Sequence, residues 1–168
     1  MNHLKLIGMK CKTKEDMFIL IDHINVLKRL NQHPFVIGVT SGVFDLLHPL
    51  HVLFLEKCKR ECDYLVVFID SDELVNLQKN RIPIFNEDDR STMVSVLKVV
   101  DSTCLNNDYF ADVKDFIESF NKENIIMFKN SNVIYGKEVE TFNYPLKIIS
   151  DVIRPESTTT VRQLLNAE

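Results

Sequence analysis

Glycine is scarce in this chain of 168 residues, which holds only Gly8, Gly38, Gly42 and Gly136. Neither a G-x-G-x-x-G turn nor a P-loop can be assembled from four such scattered positions. If the protein handles phosphates, it must do so with helix N-termini, histidines and cationic side chains. A basic excess is missing too: 20 Lys and Arg stand against 24 Asp and Glu, for a net charge of -4 and a pI near 5.7. The basic residues are scattered rather than striped, which argues against a nucleic-acid partner and for a small anionic ligand. No apolar run approaches the length of a membrane span, and the N-terminus has neither a signal-peptide core nor an acid-poor amphipathic leader. The expectation is a soluble cytoplasmic protein with no membrane partner. Cys11, Cys58, Cys62 and Cys104 form no C-x-x-C pair. Cys58 and Cys62 lie one helical turn apart, so a metal or redox pair is conceivable, and reduced, partly buried thiols are the plainer reading. Nothing rich in Pro or Ser marks a linker, so one domain is expected, with residues 1–34 as an N-terminal segment carrying a helix and 35–168 as its main body.

What is present centres on Val36 to Cys58, VIGVTSGVFDLLHPLHVLFLEKC. An apolar β-branched run passes through Thr40, Ser41 and Gly42 and leads to two histidines where a helical pattern begins. That is a strand, a turn and a helix N-terminus. Unpaired N–H groups and the positive end of the dipole make such a terminus receptive to phosphate. His48 and His51, three apart, share one face of the first turn, and Pro49 suits an early helical position.

Thr13 with Asp16 makes a capping box, followed by Met17, Leu20, Ile21, Ile24, Leu27 and Leu30 at helical spacing, which predicts a helix over about 14–31. His23 within it reads as structural or solvated. Tyr64 to Ile69 is a buried strand ending in Asp70, Ser71 and Asp72, which read as a helix cap with one solvated carboxylate in preference to metal ligands. Short helices follow at Glu73 to Gln78 and after Asn86. Strands are predicted at Ser102 to Leu105, Asn124 to Phe128 and Leu146 to Ile149, with a helix from Asp108 to Asn121 between the first two. Residues 1–12 and the stretch from Ser131 to Tyr144 give no pattern. Alternating strands and helices imply right-handed parallel crossovers, with ligands beyond the carboxyl ends of the strands.

G-V-F-D-L-L-H-P-L-H resembles the G-x-F-D-x-x-H-x-G-H signature of the cytidylyltransferase-like nucleotidyltransferases, with Gly42, Phe44, Asp45, His48 and His51 matching. The tail is similar as well: Ser157, Thr158 and Thr159 before Val161 resemble the family's S-T-T-x-I. Looser likenesses are Lys79 in a K-G-x-x-R-P-like segment with Asn80 in the glycine's place, Arg90 in an E-x-x-R-like helix, and Lys129 after the fourth strand. Arg154 resembles an arginine that precedes the S-T-T motif in glycerol-phosphate enzymes.

The resemblance implies a doubly wound, Rossmann-like parallel α/β sheet of about five strands. It implies a nucleotidyltransferase that joins a nucleoside triphosphate, CTP by the motif, to a small sugar or alcohol phosphate with release of pyrophosphate. His48, His51, Lys79 and Arg90 would act on the phosphates, while Ser41, Gly42, Val43, Phe44, Asp45, Lys129, Ser157, Thr158 and Thr159 would bind the nucleotide. Mg²⁺ would arrive on the triphosphate, with no metal site of the protein's own. A homodimer is compatible with the family. Leu50 stands where the family has glycine between the histidines. Its side chain either fills the nucleotide's space, leaving a binding protein without turnover, or turns into the core and leaves the site open. An adenylyltransferase using ATP is the remaining alternative.

Overall fold

The computed structural model describes residues 8–108, 110–130 and 143–149. In chain order these form β1 (Met9–Cys11), α1 (Lys14–Leu30), β2 (Ile37–Gly42), α2 (Pro49–Lys59), β3 (Tyr64–Asp70), α3 (Asp72–Lys79) and α4 (Glu87–Ser95). Then come β4 (Ser102–Asn106), α5 (Ala111–Glu118), a 3-10 turn (Lys122–Asn124), β5 (Ile125–Asn130) and β6 (Leu146–Ile149). The six strands make one sheet in the order β1-β4-β3-β2-β5-β6, and every neighbouring pair is parallel. The expected count of about five falls one short. The addition is the short edge strand β1, which pairs with β4 from Met9 to Cys11. The readings made for Ser157, Thr158 and Thr159, for Arg154 and for most of the Ser131 to Tyr144 stretch lie outside the described residues.

Parallel strands are buried on both faces, and side-chain alternation sorts this core into two halves. Ile37 and Val39 of β2, Tyr64, Val66 and Phe68 of β3 and Met127 of β5 meet Leu20 and Ile24 of α1 and Phe116 and Ile117 of α5. Leu65, Val67 and Ile69 of β3 and Phe128 of β5 face the other way, against Phe54, Leu55 and Cys58 of α2 and Val94 of α4. Helix α1 is held at its start as its sequence predicts: Thr13 Oγ1 accepts from the Asp16 N–H at 3.1 Å, and Asp16 Oδ2 accepts from the Thr13 N–H at 3.0 Å. The segment after α2 lies close enough to the sheet that a Cβ on Gly38 would stand 2.5 Å from Cys62 Sγ, and 2.7 Å from Phe128 Cε2 of β5. Only glycine fits there. All four cysteines are free thiols, and burial pushes that of Cys62 up to about 12.

From β2 the chain runs through β3 to β4 on one side, while β5 and β6 lie on the other. The strand order therefore reverses between β2 and β5, where a ligand crevice opens at the carboxyl ends of a doubly wound sheet.

Candidate active site

The backbone leaving β2 is strained where it passes this crevice. Phe44 and Leu46 have φ of 51° and 52°, a left-handed conformation that costs a bulky residue energy and survives only where surroundings enforce it. Two buried charges do the enforcing. Asp45 is 2 % exposed. Its carboxylate accepts from the Ile84 N–H at 3.1 Å, the Phe85 N–H at 3.3 Å and Arg81 Nη1 at 3.1 Å. Arg90, wholly buried, donates from Nη1 to the Val43 carbonyl at 2.6 Å, from Nε to the Phe85 carbonyl at 2.9 Å and from Nη2 to Asp72 Oδ1 at 2.6 Å. The turn after β2 and the loop between α3 and α4 are thus stitched together in both directions.

Arg90, expected to act on phosphate, is here engaged by protein oxygens. Its three nitrogens are committed to the protein and none faces the crevice's solvent. Asp45 likewise spends its oxygens on the α3–α4 loop. Sequence reasoning missed both ties because each joins segments about forty positions apart, and a single helical arginine carries no local mark of burial.

His48 is the N-cap of α2. The two imidazoles stack with centroids 3.9 Å apart and planes at 26°, and the Phe44 ring lies 5.3 Å from that of His51. His51 Nδ1 accepts from the His48 backbone N–H at 3.4 Å, which leaves Nε2 to carry the proton of the neutral ring. Burial, with the neighbouring His48 adding to it, lowers His51 to about 4. The ring is therefore neutral near pH 7, a donor through Nε2. Burial also lowers His48, whose Nδ1 has no hydrogen-bond partner among the described residues. Of the five described α-helices only α2 has no carboxylate in its first turn, so nothing there competes with an incoming anion. Leu50 is half-buried and packs with Leu47 against the α2 side of the core.

Ser41 and Gly42 end β2, half-buried at the switch point. Lys79 ends α3 and is also half-buried. Burial lowers its pKa, and Asp70, nearby, acts in the opposite sense. Asn80 follows with φ 48° and ψ 45°. That left-handed cap is the reason a glycine serves in the comparable motif, and asparagine is the best-tolerated replacement. Burial raises the Asp70 carboxyl, while the Asn106 amide donating at 2.9 Å acts in the opposite direction. Ser71 caps α3, its Oγ accepting from the Leu74 N–H at 3.2 Å. Lys129 lies near the carboxyl end of β5, paired with Ile148. By alternation it shares the α1/α5 side of the sheet with Met127, and Ser41 shares that side with Val39, whereas the histidines ride on α2 across the sheet. His48 and His51 thus follow β2 and Lys129 ends β5, the two strands that flank the switch point, while Lys79 follows β3 by way of α3.

Residues 39–163 match the family model described as cytidylyltransferase-like. Among curated proteins, the chain is 38% identical over 104 residues to an FAD synthase of Aciduliprofundum boonei, covering 61% of this chain and 66% of that one. It is 41% identical over 70 residues to the bifunctional protein HldE of Hyphomonas neptunium, covering 41% of this chain and 14% of that one. In both cases the match spans less than two thirds of the relative's own length. Among solved structures, a lipopolysaccharide core biosynthesis protein of Thermoplasma volcanium GSS1 matches with a TM-score of 0.55 and 28% identity, over 68% of this chain and 93% of that one.

Proposed function

Because the chain belongs to the cytidylyltransferase-like family of nucleotidyltransferases, we propose that it transfers a nucleotidyl group from a nucleoside triphosphate to the phosphate of a small acceptor. An acceptor oxygen attacks the α-phosphorus in line, and the bond to the β-phosphate oxygen breaks as pyrophosphate leaves. Such a reaction asks for positioning and charge neutralisation more than covalent help. The observation that carries the reading is the stacked histidine pair at the carboxylate-free start of α2. His51 Nε2–H and His48 donate to phosphate oxygens as charge builds on the leaving group. Lys79 and Lys129 add positive charge, Arg81 lines the rim, and Ser157, Thr158 and Thr159 hold the far phosphates. We assign this site to residues 35–168, with α1 ahead of it covering one face of the sheet.

Asp45 and Asp72, two carboxylates beside this edge, are engaged by Arg81 and Arg90. That suits a Mg²⁺ carried in by the triphosphate rather than caged by protein oxygens. Its chemistry would be charge neutralisation on the phosphates.

Similarity to an FAD synthase favours ATP as donor over CTP. The acceptor would then be a flavin mononucleotide, since joining it to AMP makes FAD. The CTP reading with a sugar or alcohol phosphate is supported by the motif and remains the second. Thermal unfolding with Mg²⁺ and each of the four triphosphates separates them. A ligand at a hundred times its Kd adds about 2.7 kcal/mol of stability. A rise with ATP, followed by pyrophosphate release on adding flavin mononucleotide, is the expected result. A rise with CTP alone moves the enzyme to the cytidylyl branch, and no rise with any triphosphate overturns the reading.

A further inference from the structure

We propose that Arg90 is a positioning residue for the histidine pair, acting through the turn after β2 and not by touching a phosphate. Its guanidinium holds the Val43 carbonyl, the Phe85 carbonyl and Asp72 at once. Those three points belong to the turn after β2, the α3–α4 loop and the start of α3. The Val43 carbonyl lies one peptide before Phe44, whose left-handed φ of 51° is not self-sustaining. The Phe44 ring is 5.3 Å from His51 and 5 % exposed. Arg90 therefore sets Phe44, and the Phe44 ring, tilted at 55° to that of His51, is part of the wall that keeps water from it. Two other groups reach His51 electrostatically: His48, which opposes its protonation, and Asp45, which favours it and lies in the same turn, so that Arg90 positions it together with Phe44.

The test is Arg90→Lys, which keeps the charge but cannot reach three partners in one plane. Two readouts separate positioning from contact. In the ligand-free protein, the His51 ring is followed by NMR across pH. Its midpoint, about 4 with Arg90 in place, should move up toward the ordinary value of about 6.5 as the Phe44 wall loosens and water reaches the ring. In turnover, kcat should fall at least about tenfold while KM for the triphosphate stays within about threefold, the pattern of misplaced donors. A folded Arg90→Lys protein with an unmoved His51 midpoint overturns the proposal, as does a raised KM with kcat intact, which would mean direct contact with phosphate. Should Arg90→Lys not fold, Asp72→Asn weakens one of the three ties at a carboxylate 36% exposed. It should shift His51 in the same direction by less, and no shift overturns the proposal. The kinetic readout rests on the nucleotidyl-transfer reading. The NMR readout does not, so a wild-type protein that binds no triphosphate would sink that reading and leave this inference to be decided by the His51 midpoint.

Discussion

At the scale of single residues, the departure that matters is Leu50. A leucine between two phosphate-facing histidines is a problem only if its side chain shares their direction. Here it is half-buried against the apolar cluster that contains Phe44, Phe54 and Ile149, while the two rings stack on one another. The side chain thus takes part in the packing under the turn. Leu50→Gly should lower stability by about 2 kcal/mol through lost burial and added backbone freedom, read as a lower melting temperature. It should not raise the rate of pyrophosphate release. A clear rise in that rate would mean that the leucine blocks the nucleotide. Asn80 makes the converse point: a left-handed cap tolerates asparagine, so the missing glycine there changes little.

Between elements, the critical approach is that of α2 and the segment after it to β2. Gly38 has Cys62 Sγ and Phe128 Cε2 where its Cβ would be, and the Cys62 thiol is further fixed by donating to the Cys58 carbonyl at 3.4 Å. Gly38→Ala should destabilise the protein by about 1–3 kcal/mol through overpacking. Cys62→Ala in the same chain should return part of that loss, a coupling that a double-mutant cycle in denaturant would measure. Full additivity of the two substitutions would refute the close approach. Much of this element framework was legible in the sequence because its signals are local: the Thr13 and Asp16 box, the apolar run from Tyr64 to Ile69, the Asn86 cap whose Oδ1 accepts from the Asp89 N–H at 2.9 Å. What stayed illegible depends on distant partners. Strand β1 is three residues with no apolar pattern, made a strand by its ladder to β4 and by the Gly8 N–H donating to the Asp101 carbonyl at 3.1 Å. The helix expected from Asp108 to Asn121 is trimmed to Ala111–Glu118, and Asn121 then begins a separate 3-10 turn. The histidine motif announced the site in sequence. The sequence singles out Arg90 and Asp45 as well, but not their burial or their bonds across the turn, because burial is a property of the assembled sheet edge.

For the molecule as a whole, the buried histidines couple the site to stability. His23, His48 and His51 are each lowered by burial, His51 to about 4. In the unfolded chain all three return to about 6.5. Between those limits the unfolded state binds more protons than the folded one, so stability must fall as pH falls through the window from about 6.5 toward 4. For His51 alone the effect is on the order of 3 kcal/mol, from a shift of two to three units. Asp70 opposes it. Its carboxyl is raised by burial, so the folded state takes up a proton there first and gains from acid. Among the described residues that gain comes from one carboxyl, whereas three rings act in the other sense. The melting temperature should therefore be lower at pH 4.5 than at pH 7.5, and a level or rising profile would contradict the buried, neutral histidines. A bound triphosphate changes the balance. Phosphate oxygens against His48 and His51 favour the protonated rings, so a protein saturated with triphosphate should lose less melting temperature over the same pH range than the free protein. If both curves fall in parallel, the anion does not sit against the histidines, and the assignment of the α2 N-terminus as the phosphate seat fails with it.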